Sequence, residues 1–155
     1  MKIGENITLH YWSPKVDYTP LSEKEFHLDS DHEFWWKNNG KKYLLTIKKG
    51  FVWDGATVFR IFWTFLGYTR SGILLRASLP HDYIYINKGW IYNEISGELE
   101  FISRKHSDQL FYRDARMSGV PEKDARQLYQ YIRFLGRFYW SDFSDWMPFK
   151  KKINK

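Results

Sequence analysis

The apolar pattern of the chain changes period once, and that change limits the folds open to it. Two early runs, His32-Glu33-Phe34-Trp35-Trp36 and Lys42-Tyr43-Leu44-Leu45-Thr46-Ile47, are rich in aromatic and β-branched residues. They are joined through Asn38-Asn39-Gly40, whose residues tolerate φ > 0, so the segment predicts a β-hairpin. Residues 5–12 read as a further strand. Past residue 70 the spacing turns helical. Gly72 to about Tyr85 is one predicted helix, with Pro80 removing an i→i−4 bond and placing a kink just before His81. A second follows Ser103, a suitable N-cap, and runs to about Met117, where Ser118-Gly119 stops it. A third opens at Val120-Pro121-Glu122-Lys123-Asp124, with proline in the first turn and acids that suit the helix dipole. Its stripe of Ala125, Leu128, Tyr129, Ile132, Leu135 and Tyr139 keeps helical spacing and reads as core. Strands followed by helices predict an α+β fold: an N-terminal antiparallel hairpin or small sheet packed on a bundle of about three helices.

At 155 residues the chain fits one domain, with 1–57 read as mainly β, 60–145 as mainly α and 146–155 as a basic tail. Its 8 Trp, 11 Tyr and 12 Phe predict a core built from rings, each able to bury roughly 150–250 Å². Cysteine is absent, which excludes disulfides, thiolate nucleophiles and Cys-ligated zinc. The apolar runs fall far short of the roughly 20 residues of a membrane span, and residues 1–6 lack the apolar region of a signal peptide. A cytoplasmic origin is the expectation. The net charge of +6 suits an anionic partner and equally suits a soluble surface.

Chemistry concentrates in Pro80-His81-Asp82-Tyr83-Ile84-Tyr85, which packs a base, a carboxylate and a phenol into one helical turn. On a helix, His81 and Tyr85 share a face at i,i+4, while Asp82 leaves about 100° further round. Asp108 sits among Phe111, Tyr112 and Ala115, and an acid on an apolar face needs a partner. If the two helices pack antiparallel, His81 is that partner. The dyad would hold one ring nitrogen on Asp108 and leave the other to take a proton from water. His106 is a further potential metal ligand that nothing requires. The Asp54-Gly55 turn after Phe51-Val52-Trp53 would add loop carbonyls. With Asp54 and Asp82 these make an oxygen-rich site suited to Ca²⁺ or Mg²⁺ rather than Zn²⁺. The competing account is structural: a buried histidine satisfied locally and an ordinary turn. Walker, Rossmann, His-Glu-x-x-His and Gly-x-Ser-x-Gly motifs are absent, which weighs against NTPase, dehydrogenase, zinc protease and serine hydrolase functions. Tyr131, Arg133, Phe134, Arg137, Phe138 and Trp140 could track nucleic acid. Their helical spacing favours aromatic core with snorkelling arginines instead.

Taken in order, these residues resemble the domain-of-unknown-function 1353 family, found largely in phages and prophages. The likeness runs through Gly50-Phe51, Trp53-Asp54-Gly55-Ala56-Thr57, Phe62-Trp63 and His81-Asp82-Tyr83-Ile84-Tyr85. It continues through Ser107-Asp108, Phe111, Gly119-Val120-Pro121 and Tyr131…Arg133-Phe134-Leu135-Gly136…Trp140, covering roughly residues 45–140. Thr57 stands where the family usually has Ser, and Phe59 where Pro is common. Ala usually precedes Asp108, so His106 and Ser107 look peculiar to this chain. A looser likeness is to the His-Asp-x-x-Tyr motif of secreted phospholipase A2, including its capsid-borne viral forms. That likeness implies His81 as activator of water, Asp108 as its orienting group and Asp82 as a Ca²⁺ ligand. The Gly-rich calcium loop and the cysteine framework of that family are missing, and Asp54-Gly55 would stand in for the former. The functional expectation is a phage-type accessory protein acting as a metal-assisted ester or phosphoester hydrolase, with catalytic His81, Asp108 and Tyr85. Its expected location is the host cytoplasm or the virion, and its partners other phage proteins. The alternatives are a non-enzymatic virion or accessory protein with a structural His/Asp network, or an anti-defence protein binding a host factor or nucleic acid.

Overall fold

The computed structural model describes residues 2–10, 16–22, 25–53 and 73–140. The Asn39-Gly40 turn joins β4 (His32–Asn38) to β5 (Lys41–Ile47), and both turn residues have positive φ, 50° and 80°. That is the mirror-image turn whose twist matches paired strands, and glycine adopts it without strain. β1 (Ile7–His10) lies antiparallel on the other side of β4, within the segment expected to be a strand. Phe34 and Trp36 are fully buried, and Trp36 stacks on Tyr43 across the hairpin with ring centroids 4.7 Å apart. A second antiparallel sheet has the order β2 (Tyr18–Pro20), β3 (Phe26–Leu28), β6 (Val52–Trp53). Its strands are only two or three residues long, too short to show a period in sequence.

Three helices are described: α1 (Ile73–Ile86), α2 (Arg104–Met117) and α3 (Glu122–Trp140). α1 continues through Pro80 and is buried on nearly every side, as its apolar composition requires. Leu75, Leu79 and Ile84 pack into the core shared with the sheets. Leu74 and Ala77 pack into a second core with Phe111, Ala115, Leu128 and Ile132 of the other two helices. The Ser103 hydroxyl accepts the His106 amide at 3.2 Å, and the chain leaves α2 through Gly119 at φ 102°, as the local signals predicted. Arg76 meets Asp114 while His81 meets Asp108, so α1 and α2 run antiparallel. Tyr112 against Tyr129 and Asp108 against Arg133 set α2 and α3 antiparallel as well.

A second hairpin, β7 (Trp90–Asn93) and β8 (Glu98–Phe101), interrupts the helical half and was not expected from the sequence. Asn93, fully buried, fastens it to the edge of β5. Its side-chain oxygen accepts from the Leu44 and Ile95 amides, and its nitrogen donates to the Lys42 carbonyl and Glu100, each at 3.1 Å.

Candidate active site

Helical spacing places His81 and Tyr85 on one face of α1, their ring centroids 4.3 Å apart. Opposite them, α2 presents Asp108, which has no solvent exposure. His81 Nε2 donates to Asp108 Oδ1 at 2.9 Å, and the Tyr85 hydroxyl donates to the same oxygen at 2.5 Å. Arg133 of α3 donates from Nη1 to the other oxygen at 2.6 Å, and Arg104 Nη1 stands 3.6 Å from it. One carboxylate therefore ties three helices together and is surrounded by donors. The three residues expected to form the dyad and its phenol come together as the i,i+4 spacing and the cost of a lone buried acid implied.

Burial pushes the Asp108 carboxyl upward, but hydrogen bonds from His81, Tyr85 and Arg133 outweigh it and hold the group below its ordinary value. Burial acts to lower His81, whereas Asp108 and then Asp82 raise it, and the net direction is upward. Burial, reinforced by the Asp108 charge, drives the Tyr85 phenol far up, so it stays protonated and serves as a donor. Contact with Asp108 through Nε2 fixes the ring and directs Nδ1 the other way.

Nδ1 points at Asp82, whose Oδ1 is 3.6 Å away. From backbone spacing Asp82 was expected to leave α1 on a different side. Its side chain instead turns back beside His81, so the imidazole lies between two carboxylates. His81 is 6% exposed and Asp82 9%, which leaves both nearly sealed. Asp54, the other expected metal ligand, lies outside the described residues. Among the described residues no group of three or more His, Asp or Glu is arranged to hold a metal. Asp82 supplies only part of the six to eight oxygens that Ca²⁺ requires.

His106 is engaged elsewhere. Its Nε2 accepts the Trp36 indole N–H at 3.1 Å, and its Nδ1 lies 3.4 Å from the Asn38 amide. Burial depresses its pKa to about 4, so it is a neutral bond between α2 and the sheet. Arg133 and Arg104, which complete the shell of Asp108, were not assigned to the site from sequence. Gly136 was missed too. A side chain there would strike the Tyr85 hydroxyl, 2.5 Å from the added carbon, so glycine lets α3 close over the phenol. The aromatic stripe of α3 departs from expectation as well. Tyr131, Phe134 and Phe138 are 45%, 60% and 46% exposed, so they are surface rather than core.

Searches of curated proteins and of solved structures return no match. A family model described as protein of unknown function (DUF1353) matches residues 27–132, from β3 into α3. That span contains His81, Asp82, Tyr85 and Asp108, and the chain belongs to the DUF1353 family.

Proposed function

We propose that the protein is a phage-type accessory hydrolase that cleaves an ester or phosphoester, with His81 as general base. Asp108 orients the imidazole, and Tyr85 and Arg133 keep Asp108 ionised and fixed. What supports this is the convergence of all these donors on one buried carboxylate, with His81 Nδ1 left beside Asp82. In the reaction, which requires a pH above the raised pKa of His81, Nδ1 of the deprotonated imidazole takes a proton from water as the water oxygen attacks the acyl carbon or phosphorus. The same proton passes to the departing alcohol oxygen as the scissile bond breaks. Asp82, with Asp54 and backbone carbonyls of residues 54–57, is the proposed ligand set for Ca²⁺ or Mg²⁺. A bound ion would polarise the scissile bond and stabilise the developing oxyanion.

The burial of His81 and Asp108 favours a second reading, a non-enzymatic accessory or virion protein whose polar cluster locks the helices together. Turnover of chromogenic carboxylic esters and phosphodiesters, with Ca²⁺, with Mg²⁺ or with chelator, separates the two. Hydrolysis by the wild type that Asp82→Asn reduces predominantly in the presence of Ca²⁺ supports the metal-assisted reaction. Absence of turnover on every substrate with either ion refutes it and leaves the structural network. Thermal melting with added Ca²⁺ reads the ion separately: a rise in Tm that Asp82→Asn abolishes supports the site, and an unchanged Tm contradicts it.

A further inference from the structure

We propose that the outer face of the β7–β8 hairpin, continued by the end of α3, seats the protein on an anionic lipid surface. This goes beyond the hydrolytic role and stands without it. A two-stranded ribbon with one face on a core is expected to turn polar residues outward. Here the pattern is reversed. Asn93 and Ile91 point inward and are buried, and Glu100 pairs with Lys41 at 2.7 Å. Trp90, Tyr92, Leu99 and Phe101 are 54%, 53%, 68% and 54% exposed. The register sets Trp90 opposite Phe101 and Tyr92 opposite Leu99, so the four side chains form one patch. Trp140 extends it, its ring 6.4 Å from Phe101.

Chemistry and area favour lipid as the occupant. Tryptophan and tyrosine carry a polar tip on an apolar body and concentrate at membrane–water boundaries. Away from the turn, which carries Glu94 and Glu98, the charged residues beside the patch are positive. Lys88 precedes the hairpin, and the Arg137 guanidinium, one turn before Trp140, lies 4.7 and 4.8 Å from the Phe134 and Phe138 rings. The whole chain carries +6. A second copy of the chain fits less well. Four side chains half exposed at roughly 150–250 Å² each, with Ile95 at the turn, offer about 500 Å². A standard interface takes about 800 Å² per partner. Glu94 and Glu98 at the turn keep that end in water, so the hairpin would lie flat rather than insert tip first.

The test is co-sedimentation with vesicles of phosphatidylcholine alone and of an equimolar mixture with phosphatidylglycerol. Wild type and His81→Gln should both bind the anionic vesicles and bind phosphatidylcholine more weakly. The double variant Leu99→Glu/Phe101→Glu should lose at least about tenfold in affinity with unchanged circular dichroism and Tm. Because His81→Gln reports binding without turnover, failure here is distinguishable from failure of the hydrolytic role. No binding by the wild type, equal binding to both vesicles, or equal binding by the double variant overturns the proposal. So does a wild-type dimer in sedimentation velocity that the double variant converts to monomer.

Discussion

Replacing Asp108 by asparagine keeps the side-chain volume and removes the charge at the junction of the three helices. The retained oxygen can still accept from His81 and Tyr85, at 2.9 and 2.5 Å. The new amide nitrogen then meets the Arg133 donor at 2.6 Å and the Arg104 donor at 3.6 Å, donor facing donor. A hydrogen bond to a charged group contributes about 1.5–3 kcal/mol, and removing one partner of a buried ion pair costs about 3–5 kcal/mol. Arg133 and Arg104 side chains are 30% and 20% exposed, so water can rehydrate them, and the lower end applies. We expect a loss of about 3 kcal/mol from a total of about 5–15 kcal/mol. Urea unfolding should show a lower midpoint at unchanged m-value. In a cycle with Arg133→Met, the two losses should fall short of additivity by about 1–3 kcal/mol. A loss below about 1 kcal/mol, or simple additivity, would refute Asp108 as the charged junction.

Three further outcomes follow from individual contacts. His106 has a folded-state pKa of about 4 against an ordinary 6.5, so its contribution is complete above pH 6.5 and is lost as pH falls toward 4. The stability difference between wild type and His106→Gln should therefore shrink by roughly 2–3 kcal/mol over that window, and a constant difference would contradict the neutral bond to Trp36. Gly136→Ala should destabilise by about 1–2 kcal/mol despite its better helix propensity, because the added carbon strikes Tyr85. In a Tyr85→Phe background that cost should fall, and an equal cost in both backgrounds would place the clash elsewhere. Asn93→Ala should lose about 2–3 kcal/mol and speed hydrogen exchange at the Leu44 amide, which would otherwise stay protected.

The elements that declare themselves locally were legible in the sequence. Asn39-Gly40 specified the hairpin, Ser103 and Gly119 bracketed α2, and the Ala125–Ile132 stripe marked the buried side of α3. His81, Tyr85 and Asp108 were legible because helical spacing and the cost of a lone buried acid are both local arguments. Arg133 was not, since it reaches Asp108 from 25 residues away and its neighbours gave it a plausible surface role. Side-chain rotation, which spacing alone does not fix, brought Asp82 back beside His81. The β7–β8 hairpin escaped because Trp90-Ile91-Tyr92 is apolar on both faces and so shows no alternation. The exposed face of α3 was misjudged because helical spacing in an aromatic run does not say which side meets the core.

Turnover by His81→Gln, compared with wild type on an ester the wild type cleaves, tests His81 as general base most directly. The expected result is a fall in kcat of about 10²–10⁴ with the fold retained, as checked by near-ultraviolet circular dichroism and Tm. Undiminished turnover in a folded His81→Gln protein would contradict a hydrolytic role for the His81–Asp108 pair.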